Sequence, residues 1–189
     1  MNRYQQIEET LRQKKPGWWD RMIEWIPELA ALSKTPQSKQ YHAEGDVAIH
    51  TRMAVEACTA DSEPDLLWAA LLHDIGKPLM TRKDGEKITS YRHEVAGAEI
   101  TEKILKRLEL PANRRERIVW AVRHHSFHLS WSLKTPEDVS PRQRRFIADP
   151  LFPLLLDLLR VDSAASYGYP DKRMSFELYK QLWEMVSKS

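Results

Sequence analysis

The 189-residue chain predicts an all-α helical bundle carrying one small β-hairpin. Three observations support that class. Apolar residues recur at spacings of three and four along almost the whole chain, the period of a helix with one buried face. Helix-start and helix-stop residues bracket the periodic segments. One stretch, Leu79 to Tyr91, breaks the period, and Lys83-Asp84-Gly85-Glu86 within it reads as a turn between two short extended segments, Leu79 to Arg82 and Lys87 to Tyr91.

In chain order, a weakly amphipathic helix is expected from about Arg3 to Lys15, ended by Pro16-Gly17. A second runs from Trp18 to about Ser33, with Trp18, Met22, Trp25 or Ile26, and Leu29 on one face, bent or broken at Pro27. Lys34 to Gln40 is a polar loop. Asp46 is a suitable N-cap for a helix from Val47 to about Thr59. Ser62 as cap and Pro64 in the first turn open the next, which carries Leu66 to Asp74 and stops at Gly76 and Pro78. After the hairpin, helices are expected from His93 to about Leu108 and from Pro111 to about His125. Ser126 to Pro141 is looser, and Ser140 with Pro141 opens a short helix. Pro150 to Tyr167 is the most apolar helix and the expected centre of the bundle. Pro170-Asp171 separates it from a last helix ending near Ser187.

Composition narrows the function classes. Hydrophobic residues are 42% and charged residues 30%, which is globular rather than disordered, and a formal net charge of +2 excludes a polybasic nucleic-acid sponge. The single cysteine, Cys58, excludes an internal disulfide and points to a reducing, cytoplasmic setting. No stretch approaches the roughly 20 apolar residues of a membrane span, and the N-terminus lacks a signal-peptide core. The expectation is one soluble domain over residues 1–189, with a core at about 42–168.

Set in this frame, His73-Asp74 at the end of the apolar run Leu66 to Leu72 is conspicuous. Imidazole nitrogen and carboxylate oxygen suit transition metals and can share one site. The pair has company. His50 shares a stripe with Val47, Ala54 and Ala57; His93 leads one with Gly97, Ile100 and Ile104. His125 follows Ile118, Ala121 and Val122, whereas His124 falls with Arg117 and Trp120; Asp162 is in register with Leu155, Leu158, Leu159 and Ala165. Five helices thus aim a polar donor inward, and two buried aspartates without a counter-charge would be costly. Each residue alone is compatible with a hydrogen-bonded core position; together they read as a metal centre.

His50, His73-Asp74 and Asp162, in that order, resemble the core pattern of the HD superfamily of metal-dependent phosphohydrolases. The flanks Glu44-Gly45-Asp46-Val47-Ala48-Ile49-His50-Thr51 and Leu72-His73-Asp74-Ile75-Gly76-Lys77 resemble the HD domain attached to bacterial CCA-adding tRNA nucleotidyltransferases. His93-Glu94-Val95-Ala96-Gly97-Ala98 and Ala121-Val122-Arg123-His124-His125 extend the likeness. The resemblance implies a 2′,3′-cyclic phosphodiesterase or 2′-phosphatase acting on nucleotides or RNA ends, similar also to HD modules of RNA repair. With no nucleotidyltransferase domain in this sequence, the phosphoesterase site carries over and the tRNA-maturation role does not. In a dinuclear arrangement of that family, Asp74 would bridge two ions, one held by His50, His73 and Asp162 and the other by His93 and His125; register and resemblance favour His125 over His124 as the ligand.

The expected chemistry follows from the ligand set. A divalent metal lowers the pKa of bound water towards ~7, giving hydroxide for attack on phosphorus. Nitrogen-rich ligands with carboxylates suit manganese, iron, cobalt or nickel, and zinc or magnesium less well. Lys77 is a candidate cation beside the phosphate, or else a charge favourable at a helix C-terminus. His124 is a candidate catalytic neighbour. Thr51, Arg52, Arg123 and His128 are candidate substrate contacts, with surface or structural roles as the alternatives, and His42 is either a substrate contact or exposed. Arg114-Arg115-Glu116-Arg117 and Arg142-Gln143-Arg144-Arg145 are solvated helix faces unless they flank the pocket, where they would attract an RNA end. Trp131 is a candidate base-stacking residue. Nothing points to a membrane partner or to DNA sequence recognition. The rival readings are a 5′-nucleotidase of the nucleotide pool, a dinuclear-iron oxygenase of the same fold, and a catalytically silent RNA- or nucleotide-binding module.

Overall fold

The structure, a computed structural model, describes residues 1–38, 42–131, 133, 135, 138–166 and 170–187, with 170–173 described for the backbone alone. Among them are ten α-helices and one two-stranded hairpin, the class that the sequence predicts. Helix α1 (Arg3–Gln13) opens with a capping box in which Asn2 Oδ1 accepts from the Gln5 amide and the Gln5 side chain accepts from the Asn2 amide. Helix α2 (Trp18–Trp25) stops before Pro27, and Pro27–Lys34 continues as a 3-10 helix. The loop expected beyond it is described as far as Ser38, its last two residues lying outside the described residues.

Asp46 caps α3 (Val47–Glu56), its Oδ1 accepting from the Ile49 amide at 2.9 Å. Ser62 does not cap α4 (Pro64–Leu72). Its Oγ accepts from the Thr59 amide and closes the preceding turn, and Glu63 occupies the cap position. α4 ends at Leu72, so His73 to Gly76 form a tight turn into the four-residue α5 (Lys77–Met80).

That turn also shifts the hairpin. Leu79 and Met80 are helical rather than extended, because Pro78 sits in the first turn of α5 and the Met80 and Thr81 amides bond back to Gly76 and Lys77. The strands are β1 (Arg82–Asp84) and β2 (Lys87–Thr89), with Asp84 opposite Lys87. Gly85 takes the positive φ that this two-residue connection requires.

Helix α6 (His93–Arg107) packs on α7 (Ala112–His124), a 3-10 turn follows at Phe127–Ser130, and Ser140 with Gln143 forms a capping box for α8 (Pro141–Ile147). Helix α9 (Phe152–Ala165) is the central element, and α10 (Pro170–Val186) begins at Pro170 rather than after it. Tyr167, the expected end of α9, and residue 168, the expected end of the core, lie outside the described residues.

α9 serves two cores. Leu154, Leu158 and Val161 join the larger one, with α1, α2, α3, α4, α6 and α7. Phe152, Leu155, Leu156 and Leu159 join a smaller aromatic one with Phe127, Ile147, Tyr179 and Leu182. Every residue of α4 from Asp65 to Leu72 is buried, each leucine contributing roughly 1.5–3 kcal/mol. Asp65 is buried because α7 supplies Arg114 and Arg117, whose Nε atoms lie 2.7 and 2.6 Å from its two oxygens. Glu8 of α1 accepts from the Trp68 indole at 2.8 Å and pairs with Arg114, so one polar network ties α1 to α4 and α7. Cys58, just past α3, is buried; burial pushes its thiol up to about 11, so it is a packing residue.

The turn after α4 depends on a missing side chain. A Cβ on Gly76 would lie 2.1 Å from the His93 carbonyl oxygen and 2.5 Å from the Gly97 amide nitrogen. The first turns of α6 therefore rest directly on the His73–Gly76 backbone, with Gly97 as the reciprocal gap. Both obstructing groups are backbone and cannot swing away. Gly76→Ala is expected to destabilise the protein by about 1–3 kcal/mol, lowering the melting temperature by several degrees in a thermal scan. An unchanged melting temperature would mean that α6 is not seated on this turn.

Candidate metal centre

Six side chains from five places converge. His50 comes from the middle of α3, His73 and Asp74 from the turn ending α4, His93 from the first position of α6, His125 from the end of α7, and Asp162 from α9. All except His93 are buried. The left-handed backbone of Arg92, φ 60°, turns the chain so that α6 begins with His93 facing the others.

Each imidazole is oriented through its Nδ1. His73 Nδ1 lies 2.9 Å from the Ala70 carbonyl, His93 Nδ1 2.7 Å from that of Ser90, and His125 Nδ1 2.7 Å from that of Val122. His50 Nδ1 lies 2.8 Å from Glu44 Oε1. Carbonyl and carboxylate oxygens only accept, so each Nδ1 carries the hydrogen, and in the neutral ring each Nε2 turns its lone pair inward. Those nitrogens face one another: His50 and His73 at 3.2 Å, His93 and His125 at 3.1 Å. Opposed lone pairs at this separation repel unless a cation lies among them.

Asp74 stands between the two pairs. Its Oδ2 is 3.3 Å from His73 Nε2 and 3.8 Å from His50 Nε2; its Oδ1 is 3.2 Å from His93 Nε2 and 3.6 Å from His125 Nε2. Neither oxygen has a hydrogen bond of normal geometry, although Lys77 Nζ approaches Oδ2 to 2.8 Å. Asp162 Oδ1 closes the first pair, 2.9 Å from His50 Nε2 and 3.9 Å from His73 Nε2. The donors resolve into two groups, His50–His73–Asp74 and Asp74–His93–His125, joined by Asp74. Orphaned carboxylate oxygens amid inward-facing imidazoles fit divalent cations.

The local electrostatics agree. Burial opposes ionisation of Asp74, but Lys77 and the surrounding imidazoles hold its carboxyl well below the ordinary carboxylate range. Burial likewise opposes charge on His50, yet Asp162 and Glu44 raise its pKa. His125 is pushed down, chiefly by burial, which favours the neutral ring a metal needs. Glu44, despite burial, is held at about 2 by hydrogen bonds from His42 and His50. His42, Glu44 and His50 also cluster closely enough to resemble a ligand group. Because His50 spends its Nδ1 hydrogen on Glu44, that cluster acts as the outer support of a ligand.

The other candidate residues divide. Lys77 and His128 are buried and line the same cavity, of ≈ 490 Å³, as do His42 and the six converging residues. Lys77 bridges Asp74 and Gln37, 2.7 Å from Gln37 Oε1, rather than capping helix carbonyls. His124 is outside the lining, packed on Trp120 and Phe146, with its pKa lowered by burial and by Arg123. Thr51 is fully buried and does not line the cavity, while Arg52 and Arg123 are exposed and do not line it either. The structure thus places these three candidate contacts outside the cavity lining.

Arg114 and Arg117 are engaged by Asp65, Glu8 and Glu63, and none of the Arg142–Arg145 group reaches the cavity lining. Trp131 packs edge-on against Phe127, Phe146 and Tyr179 in the aromatic core. Sequence reasoning missed Glu44, Gln37 and the Ser90 carbonyl as supports. Glu44 stands out as an acid two residues before the α3 cap; the other two leave no signal.

A helical bundle delivering two joined His/Asp groups into one cavity has the architecture of a metal-binding helical domain. The HD domain family model matches residues 46–154, and the chain belongs to that family. Asp162 lies beyond the matched segment. The chain is similar to a Multifunctional CCA protein of Hahella chejuensis, 30% identical over 131 residues, which are 65% of this chain and 31% of the relative. It is 32% identical over 130 residues to the Multifunctional CCA protein of Legionella pneumophila, again 65% and 31%. One from Halorhodospira halophila is 37% identical over 101 residues, 53% and 24%. The chain therefore spans about a third of the length of these relatives. No helix among the described residues is long and apolar enough to cross a membrane.

Asp74→Ala is expected to abolish divalent-ion uptake by metal-stripped protein in titration calorimetry. Wild type should gain about 2.7 kcal/mol of stability at an ion concentration 100 times its Kd, and the variant none. Glu44→Ala should weaken metal affinity by about 10–100-fold, whereas Glu44→Gln, which keeps an acceptor for His50 Nδ1, should lose less. Equal losses for the two variants would contradict the outer-support role.

Proposed function

We propose that this chain hydrolyses phosphoester bonds of nucleotides or RNA ends, as a 2′,3′-cyclic phosphodiesterase and 2′-phosphatase. The observation that carries this reading is the pair of His/Asp groups sharing Asp74 at the base of a solvent-connected cavity. His50, His73, Asp74 and Asp162 would hold one ion, and Asp74, His93 and His125 a second. Manganese, iron, cobalt or nickel suits this nitrogen-rich set better than magnesium. Bound there, such ions supply Lewis acidity and make hydroxide available near pH ~7.

The chain's own residues do the rest. The neutral imidazoles supply lone pairs without adding charge, leaving Asp74 and Asp162 as the anionic ligands. Lys77, held between Asp74 and Gln37, keeps one ammonium at the edge of the ligand cluster, where it would meet a non-bridging phosphate oxygen. Gln37 limits the reach of that ammonium and so orients it. His128 adds a further buried ring to the same cavity wall. A volume of ≈ 490 Å³ suits a mononucleotide or the last residue of an RNA strand. The similarity to Multifunctional CCA proteins supports a nucleotide or RNA substrate.

The test is a substrate panel on metal-stripped protein: 2′,3′-cyclic AMP, 2′-AMP, 3′-AMP, 5′-AMP and an aryl phosphate, with each divalent metal in turn. Turnover of the cyclic and 2′-esters, restored by manganese, cobalt or nickel and lost in Asp74→Ala, is the expected result. Turnover confined to 5′-AMP would move the protein to nucleotide-pool chemistry. Silence towards every ester, with oxygen consumed by the iron form, would sink the hydrolase reading.

A further inference from the structure

The cavity that holds the ligand cluster has a second, chemically different part. Ile88 at the end of the hairpin, Tyr91 just after it, and Leu129 in the Phe127–Ser130 turn line its mouth. Tyr91 is 80% exposed and Leu129 67% exposed. Among the described residues lining the cavity, Lys77 is the sole lysine or arginine, and it is already paired with Asp74. This part of the described lining thus offers apolar and aromatic surface.

Tyr91 is also fixed relative to the ligands. The Ser90 carbonyl before it accepts from His93 Nδ1 at 2.7 Å, and the Ser90 hydroxyl lies 2.8 Å from the Thr81 hydroxyl. Arg92 after it is in the left-handed turn that starts α6. A tyrosine clamped between a ligand's backbone partner and a fixed turn, yet left open to solvent, is presented rather than packed. Exposed apolar surface continuous with a polar site marks where the uncharged part of a ligand rests.

We propose that Tyr91, flanked by Ile88 and Leu129, is the shelf on which the nucleobase of the substrate stacks, while its single phosphoryl group lies at the ligand cluster. This rests on the phosphoesterase reading above and adds the residue that selects nucleotides among phosphoesters. The shelf favours flat bases through their π-faces and reads no hydrogen-bond pattern, so it discriminates purines from pyrimidines only by stacking area.

The experiment compares wild type, Tyr91→Phe and Tyr91→Ala by two readouts. Calorimetric binding of 2′-AMP and of base-free ribose phosphate is measured on the metal-loaded proteins, and kcat/KM is measured for the same pair. Tyr91→Ala should weaken 2′-AMP binding on the order of tenfold and lower the 2′-AMP to ribose phosphate preference by a similar factor. Tyr91→Phe, which keeps the ring, should stay close to wild type. Because Tyr91 is largely exposed, matching melting temperatures should confirm that all three proteins are folded. Equal 2′-AMP binding by wild type and Tyr91→Ala overturns the shelf even if turnover is intact. Tight, Tyr91-dependent binding without turnover would uphold the shelf and overturn the hydrolase reading instead.

Discussion

Two buried carboxylates and four imidazoles with their lone pairs turned inward are the constraint on which this structure depends. Asp74 and Asp162 are 2% and 3% exposed, and burial alone would force such groups to take up protons. The fold resists that by aiming Lys77 and the histidines at them, so the cluster is built to hold positive charge. Every helix that contributes to the cluster must end, begin or pass at one point. α4 and α7 end there, α6 begins there, and α3 and α9 pass it with His50 and Asp162.

Meeting that demand takes backbone as much as side chains. Three of the four imidazoles are oriented by a carbonyl three residues earlier: Ala70 for His73, Ser90 for His93, Val122 for His125. Those bonds are local, so each ligand is set by its own helix end or turn. The relation between ligands is long-range, and Gly76 against Gly97 supplies it by bringing α6 onto the turn that carries His73 and Asp74. His50 is the exception. It lies mid-helix, where the carbonyls are committed to the helix ladder, and Glu44 from the preceding loop takes the place of a carbonyl.

That difference explains what the amino-acid order revealed. Helical periodicity located the α-helices and placed His50, His73, Asp74, His93, His125 and Asp162 on inward stripes, because a buried ligand obeys the same register as a buried leucine. The same register separated His125 from His124, which turns instead to Trp120 and Phe146. Ser62 misled because a serine two residues before Pro64 satisfies the cap pattern, while the actual bond goes backwards to Thr59. Leu79 misled because a single helical turn is too short to show a period. Thr51, Arg52 and Arg123 were judged by closeness in sequence to a ligand, and neighbours along a helix point about 100° apart. Gln37, Ser90 and Tyr91 sit in loops, where no period links a position to a direction.

Charge accounting bears on how many ions the site takes. With imidazoles neutral, Asp74, Asp162 and Glu44 against Lys77 leave a formal charge of −2. One divalent ion would bring the cluster to neutrality and leave an anionic phosphoryl group little reason to enter. Two would leave it at +2, matched to a phosphomonoester dianion and in excess for a cyclic diester. Among the described residues lining the cavity, no arginine adds to the charge of Lys77. Attraction of the substrate therefore falls to the ions themselves, and discrimination among substrates falls to the uncharged wall beyond them. On that logic the two Nε2 pairs joined by one carboxylate are what would let a nearly neutral protein, +2 over the whole chain, receive the phosphate esters proposed as its substrates.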